Sequence, residues 1–164
     1  MRLYTFINFY LSQIQQGIQT AHLTHELFNK YAYSSSTEIL QLTQWSQNHK
    51  TIIVLNAGAD PQIQELMDIF AKYQFPFADF REDEGLCFAR TGCGIVLPDW
   101  IYGCEREFDK ETRKHYYVYH DEYIHVVEGD DSGNEVDTGP LVREFREGDK
   151  YFDLIDAIKS KRLA

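Results

Sequence analysis

The sequence predicts an α/β domain of three layers, in which a mixed sheet lies between helices on both faces. Apolar, β-branched and aromatic residues form stretches of strand length at positions 3–9, 51–57, 77–81 and 93–98. Segments with apolar residues at helical spacing separate the first three of these stretches. The resulting order is β, α, α, β, α, β, β, and such alternation is typical of a layered α/β fold.

The first strand and first helix are predicted from "LYTFINFY" and the segment that follows it. The strand is aromatic and β-branched, as expected of a buried strand. A polar turn, "SQIQQG", leads to Gly17. Beyond it, apolar residues cover one broad arc of a helical wheel. They are Ile14, Ile18, Ala21, Leu27, Phe28 and Tyr31.

The next three elements are a helix, a strand and a second helix. Ser36 or Thr37 can cap the helix that precedes residues 51–57 by accepting backbone N–H groups. "TIIVLNA" (residues 51–57) is nearly all apolar, which predicts a central strand covered on both faces. "DPQIQELMDIFAKY" predicts a helix with Asp60 as N-cap and Pro61 at the first helical position.

The pattern changes after Pro98, so we divide the chain into a core, residues 1–98, and an acidic extension, residues 99–164. "KHYYVYHDEYIHVVEG" predicts a hairpin with its turn near Asp121 and Glu122. "EGDDSGNEVDTGP" predicts an exposed acidic loop. An amphipathic helix closes the chain. Because the extension is short, we expect it to pack on the core.

Composition restricts the classes of partner. The net charge is -10, with 26 acidic residues against 16 basic ones. An acidic surface repels polyphosphate, so tight binding to DNA or long RNA is not expected. A small anionic nucleotide in a local pocket is still compatible with this charge. A homodimer also stays open.

Three cysteines, an odd number without paired spacing, do not indicate a disulfide framework. We expect reduced thiols and a cytoplasmic protein. No stretch approaches the roughly 20 apolar residues that a membrane helix needs, so we expect no membrane partner. The apolar start "MRLYTFINFYL" is interrupted by Thr5 and Asn8, which does not favour an export signal.

Two histidines stand close together in the first predicted helix. His22 and His25 lie about 60° apart on a helical wheel, at or near the apolar arc. Two imidazoles that open onto a cleft could serve as an acid–base pair. They could equally be ordinary helix residues at the margin of a core.

Three segments share an order of residues with a known family. "GIQTAHLTHEL" carries Gly17, Ala21 and His25, "WSQNHKTIIVL" joins a tryptophan-bearing helix to a strand, and "FPFADFREDEGLCFARTGCGIVL" follows. Together they resemble the type 2 peptidyl-tRNA hydrolase family. The resemblance covers roughly residues 3–98 and implies the three-layer fold of that family.

The third segment carries the functional part of the resemblance. Asp83 falls on the catalytic aspartate of the family, Gly85 and Gly92 fall on glycines, and Cys87 replaces a threonine. The resemblance therefore implies that Asp83 faces the same cleft as the histidines. With Asp83 fixing a tautomer, His22 and His25 would form an acid–base set for metal-independent phosphodiester cleavage.

The sequence departs from the family where tRNA binding is concerned. The lysine expected beside Gly17 is missing, because Gln16 and Ile18 flank the glycine, and Glu84 replaces an alanine. In the family that lysine helps to bind or polarise the substrate. The departures favour a compact ligand over tRNA.

The candidate ligand-binding residues are Gln16 and Gln19 on the first helix, Arg81 and Arg90, and Cys87. The two arginines could clamp a phosphate, because a guanidinium pairs with oxyanions in a bidentate manner. They could instead form ion pairs with nearby acids. We expect no cofactor and no metal, since a His-x-x-His spacing alone is a weak metal signature.

Three functions remain open. The first is a repurposed hydrolase that cleaves a small nucleotide, such as a cyclic oligonucleotide signal. The second is a binding protein that sequesters such a nucleotide without cleaving it. The third is peptidyl-tRNA hydrolysis, as the resemblance implies.

Overall fold

The computed structural model describes the backbone of residues 1–129 and 135–164, and side-chain environments outside residues 122–140. Contacts within the chain define two units. The first comprises Met1–Asp99 together with Ala157–Ala164, and the second comprises Trp100–Asp156. Within the described residues, no helix combines the length and hydropathy that crossing a bilayer requires.

A mixed four-stranded sheet forms the centre of the first unit. Its strands are β1 (Arg2–Asn8), β2 (Ile52–Gly58), β3 (Phe77–Arg81) and β4 (Arg90–Leu97). Their order is β2-β1-β4-β3. β1 and β2 are parallel, whereas β4 is antiparallel to both of its neighbours. The α/β class with a mixed sheet is therefore confirmed.

Three helices belong to this unit. They are α1 (Gln13–Tyr31), α2 (Thr37–Gln44), which continues into a π-helical turn (Trp45–His49), and α3 (Asp60–Phe70). Pro61 lies in the first turn of α3, as expected, although the N-cap is Ala59 and not Asp60.

The helices cover both faces of the sheet. The Thr5 hydroxyl lies 3.2 Å from the Thr20 hydroxyl on α1, whereas the Phe6 ring lies 5.5 Å from the Phe70 ring on α3. Because successive residues of a strand point to opposite faces, α1 and α3 lie on opposite sides of β1. Buried residues on the α1 side form one apolar cluster. Its members are Leu3, Leu27, Leu42, Trp45, Ala78 and Val96.

β2 is an edge strand, so the prediction that it is central was wrong. Its free edge is covered by the end of the chain. The Asn56 N–H donates to the Arg162 carbonyl at 2.9 Å, and the Ala164 N–H donates to the Val54 carbonyl at 3.1 Å. A covered edge permits the same apolar composition as a central position, so composition did not distinguish them.

β4 is buried along its whole length and begins at Arg90, earlier than the predicted position 93. Gly92 allows α1 to approach it closely. A Cβ atom at Gly92 would lie 2.8 Å from Ile7 Cδ1 and 3.1 Å from Leu23 Cδ1. Any larger residue would force the Ile7 and Leu23 side chains to shift.

The second unit contains an antiparallel sheet in the order β5-β6-β7. Its strands are β5 (Glu105–Asp109), β6 (Lys114–Gly129) and β7 (Glu135–Phe145). The chain also forms two further helices, α4 (Asp99–Gly103) and α5 (Phe152–Lys159). Leu154, Ile155 and Ile158 of α5 are buried, as the amphipathic pattern predicted.

The predicted hairpin turn near Asp121 and Glu122 was wrong. β6 runs through both positions, with irregular register after Asp121, and β7 is its partner. Residues 135–140 of the predicted acidic loop belong to β7. Residues 130–134 lie outside the described part of the chain.

Candidate binding cleft

A cleft of about 520 Å³ lies between α1 and the segment that joins β3 to β4, residues 82–89. This volume is typical of a site for a small molecule. Its polar lining consists of Gln15, Gln19, His22, Glu82 and Thr91. Its apolar lining consists of Leu11, Ile18, Leu86 and Ala89.

The start of α1 sets which residues face the cleft. Ser12 is the N-cap, and its side chain accepts a hydrogen bond from the Gln15 N–H. In return, Gln15 Oε1 accepts from the Ser12 N–H at 2.9 Å. This capping box fixes the first turn. Spacings of four and three residues then place Gln15, Gln19 and His22 on one face of the helix.

The opposite wall is a tight segment between β3 and β4. The Glu82 N–H donates to the Ala89 carbonyl at 3.0 Å, which closes the segment at its base. Cys87 and Phe88 both have left-handed backbones, with φ of 54° and 55°. Two successive non-glycine residues in this region are strained, and such strain is concentrated at binding sites.

Gln19 and Glu82 join the two walls. Gln19 Nε2 donates to Glu82 Oε1 at 2.7 Å. Because an ionised carboxylate only accepts hydrogen bonds, the amide nitrogen must face Glu82 and the amide oxygen must point elsewhere. That oxygen is buried and receives no hydrogen bond from the described residues. Gln19 itself is 7% exposed.

Thr91 supplies a second buried polar atom. The residue is 8% exposed, and its hydroxyl also has no hydrogen-bond partner among the residues that the structure describes. Buried polar groups are nearly always hydrogen-bonded, because an unpaired one loses its hydration without compensation. Both residues line the cleft, so a polar ligand that turns these two side chains toward itself would complete their hydrogen bonding.

The structure brings only one of the two candidate histidines to the cleft. The His22 ring stacks on Phe80, with centroids 4.5 Å apart and planes inclined by 4°. His25 is not among the lining residues and its side chain is 72% exposed. Its Nδ1 lies 3.1 Å from Asn29 Nδ2. The two imidazoles therefore do not face the cleft as a pair.

Asp83, the aspartate implied by the resemblance, is exposed and does not line the cleft. It precedes a 3₁₀ turn (Glu84–Leu86), and its neighbour Glu82 takes the position facing Gln19. The expected set of His22, His25 and Asp83 is thus not assembled here. His22 and Glu82 are the imidazole and carboxylate that share the cleft.

Gln16 and the cysteines lie outside the lining too. Gln16 Nε2 donates to the Leu11 carbonyl at 3.1 Å, so its amide supports the start of α1. Cys87 is exposed. Cys93 is buried in β4, where desolvation raises the pKa of its thiol and keeps it protonated.

The two candidate arginines are paired with carboxylates. The Arg90 side chain is 7% exposed, and its Nε donates to Asp79 Oδ2 at 3.0 Å. Its Nη1 lies 3.6 Å from Asp60 Oδ1. Arg81 Nε lies 3.3 Å from the same Asp79 oxygen. Neither arginine lines the cleft, and their contacts correspond to the ion-pair alternative.

Sequence reasoning missed Glu82 and Thr91. Thr91 had a detectable signal, because it is a polar residue within an otherwise apolar strand, "TGCGIVL". Glu82 stands in a run of charged residues, and only the backbone of the closed segment determines which of them faces inward.

The charge of the cleft limits its ligands. Among its described lining residues none is lysine or arginine, and Glu82 contributes a carboxylate. Its interior therefore favours a neutral or positively charged group.

In the part of the chain that the structure describes, no three His, Cys, Asp or Glu side chains are grouped to hold a metal ion.

No protein-family model matches the chain, and no curated protein matches its sequence. The resemblance to type 2 peptidyl-tRNA hydrolases therefore stays a prediction.

Proposed function

We propose that this protein is a binding protein for a small nucleotide, and that the cleft between α1 and residues 82–89 holds the base. The observation that carries the proposal is the pair of buried, unpartnered polar atoms, Gln19 Oε1 and Thr91 Oγ1. A base presents several polar atoms along one edge, and those atoms can complete the hydrogen bonding of both side chains.

Apolar side chains beside these polar atoms suit the flat faces of a base. Ile18 and Leu86 line the cleft and are 49% and 60% exposed. A ring that packs between them removes apolar surface from water on both partners. The combination of apolar walls with a few polar groups is the usual character of a small-molecule site.

The phosphates of the nucleotide would face solvent in this arrangement. Glu82 would repel a phosphate inside the cleft, and the described lining offers no cationic side chain to pair with one. The base enters first, and the phosphates remain hydrated at the mouth. This orientation accommodates an anionic ligand on a protein whose net charge is -10.

Hydrolysis of the nucleotide is a second candidate, because His22 and Glu82 line the same cleft. An imidazole and a carboxylate are sufficient for general acid–base catalysis if the scissile group reaches them. His22 and Glu82 would then replace the set of His22, His25 and Asp83. Peptidyl-tRNA hydrolysis stays a prediction of the sequence resemblance alone.

Equilibrium dialysis separates the two candidate functions. The protein is dialysed against nucleoside 5′-monophosphates and cyclic dinucleotides, and the recovered ligand is analysed by chromatography. Binding with intact ligand supports sequestration. Loss of ligand with appearance of product supports hydrolysis. The absence of binding across the panel would refute the nucleotide proposal.

The two histidines provide a matched pair of variants for this experiment. His22→Ala removes a residue that lines the cleft, and His25→Ala removes the same side chain one helical turn away. We expect His22→Ala alone to weaken binding. If the protein is a hydrolase, His22→Ala should lower turnover by roughly two to four orders of magnitude. Equal effects of both variants would contradict the assignment of the cleft.

A further inference from the structure

We infer that the cleft selects a guanine base, because Glu82, the carboxylate in its lining, accepts hydrogen bonds from an edge rich in N–H donors. This inference rests on the proposed function, since it names the kind of nucleotide that the same cleft holds. It depends on the identity of three polar groups, those of Gln19, Glu82 and Thr91.

Two of the three groups can act toward a ligand only as hydrogen-bond acceptors. Glu82 is a carboxylate, and Gln19 donates its amide nitrogen to it at 2.7 Å. The Gln19 amide oxygen is consequently left as a buried acceptor with no partner among the described residues. A carboxylate offers about four acceptor positions, of which Gln19 occupies one. A ligand with N–H groups therefore suits this wall of the cleft.

Guanine meets this requirement better than the other common bases. Its pairing edge carries N1–H and the N2 amino group side by side, so two donors can reach acceptors on one wall. Adenine and cytosine each offer one amino group beside a ring nitrogen that only accepts. Uracil offers one N–H between two carbonyl oxygens, and a carboxylate would repel both.

The Thr91 hydroxyl completes the match. A hydroxyl can donate as well as accept, so it can satisfy either the guanine O6 atom or a remaining N–H group. The same residue is 8% exposed, and so water reaches it poorly when the cleft is empty. When the Gln19 and Thr91 side chains turn toward the base, guanine satisfies both buried polar groups.

Isothermal titration calorimetry with GMP, IMP and AMP tests the selection. IMP differs from GMP only by the missing N2 amino group, so it measures one donor directly. We expect IMP to bind roughly 10- to 100-fold more weakly than GMP, the range for a hydrogen bond to a charged acceptor. AMP should bind at least as weakly as IMP.

Two glutamates give a matched pair of variants. Glu82→Gln replaces an acceptor in the cleft by an amide whose NH₂ group opposes the N–H groups of guanine. Glu84→Gln makes the same change two residues away at an exposed position outside the lining. We expect Glu82→Gln to weaken the binding of GMP roughly tenfold or more and to leave the binding of AMP unchanged. Glu84→Gln should leave both within about twofold.

The outcomes separate this inference from the proposed function. If none of the three nucleotides binds, guanine selection fails, and the dialysis panel decides whether nucleotide binding fails with it. If AMP or IMP binds as tightly as GMP, guanine selection is overturned while nucleotide binding stands. Methylguanidine carries the same adjacent N–H groups without a base. Binding of methylguanidine without binding of GMP would overturn the guanine assignment.

Discussion

Two groups of polar side chains in the first unit differ in whether their hydrogen bonding is complete. Arg90 is buried and is met by Asp79 and, at a longer distance, by Asp60. Gln19 and Thr91 are equally buried, yet each keeps one polar atom without a partner among the described residues. Protein groups complete the hydrogen bonding of Arg90, whereas the hydrogen bonding of Gln19 and Thr91 is left for a ligand to complete.

The difference separates a structural role from a binding role. Removing one partner of a buried ion pair leaves an unpaired charge and destabilises the fold strongly. Such a pair is therefore recognised by the fall in the free energy of unfolding when one partner is removed. A buried polar group without a partner already costs stability in the free protein, and a ligand that satisfies it recovers that cost. Substitutions in the two groups should therefore change different quantities.

The largest effect on stability is expected from Asp79→Ala. Among the described residues, it leaves the Arg90 guanidinium, 7% exposed, with the longer contact to Asp60 alone. We expect the free energy of unfolding, measured by urea denaturation, to fall by about 3 kcal/mol. Asp83→Ala, an exposed carboxylate nearby, should change it by less than about 0.5 kcal/mol. Equal stability of the two variants would mean that the ion pair has no structural role.

The largest effect on binding is expected from Gln19→Met. The change keeps the length of the side chain and removes both its buried amide oxygen and the Nε2 group that donates to Glu82. GMP affinity, measured by calorimetry, should fall roughly tenfold or more, because the ligand loses an acceptor. Gln64→Met, the same change at an exposed position of α3, is the control and should bind normally. Unchanged affinity in Gln19→Met would remove Gln19 from the site.

Two threonines in one sheet should respond to the same substitution with opposite signs. Thr91→Val removes a buried hydroxyl without a described partner, so we expect thermal denaturation to show stabilisation of about 1 kcal/mol. Thr5→Val removes a hydroxyl that lies 3.2 Å from the Thr20 hydroxyl. It should destabilise the protein by about 1 kcal/mol. Destabilisation by both would indicate that the Thr91 hydroxyl is already satisfied.

The smallest effect concerns an exposed ion pair in the second unit, where water competes with the partners. The pKa of Asp109 is lowered to about 2 by hydrogen bonds from the backbone N–H groups of Thr112 and Glu111 and from the side chains of Thr112 and Arg146. Because its pKa is lower in the folded state, its contribution to stability is present above the unfolded value and is lost as pH falls toward 2.

The measurement is the melting temperature of the wild type and of Asp109→Asn between pH 5 and pH 2. We expect the wild type to be slightly more stable at pH 5 and the difference to vanish near pH 2. A difference that does not depend on pH would show that the Asp109 charge contributes nothing to the fold.

Much of the first unit could be predicted from the sequence because its signals are local. Strand-length apolar stretches and helical spacing predicted four strands and three helices near their observed positions. The position of β2 in the sheet could not be predicted. Its free edge is covered by residues more than 100 positions later in the chain, such as Arg162, and no local pattern reports that pairing.

The candidate site was predicted only in part, for a related reason. Of the residues named from the sequence, Gln19 and His22 line the cleft. Helical spacing also placed His25 on the apolar arc, although its side chain is exposed, and the resemblance selected Asp83 in preference to Glu82. The conformation of residues 82–89 depends on its own backbone hydrogen bonds, and these cannot be derived from composition.

The most direct test of the central claim, that the cleft is open to a base, is an NMR titration with GMP that follows backbone and side-chain N–H signals. We predict that the Gln19 side-chain amide and the Thr91 backbone amide shift together and saturate with GMP. The Arg90 Nε–H signal should stay in place, because its hydrogen bond to Asp79 is already complete. Saturable shifts at Arg90 with none at Gln19 or Thr91 would contradict the claim.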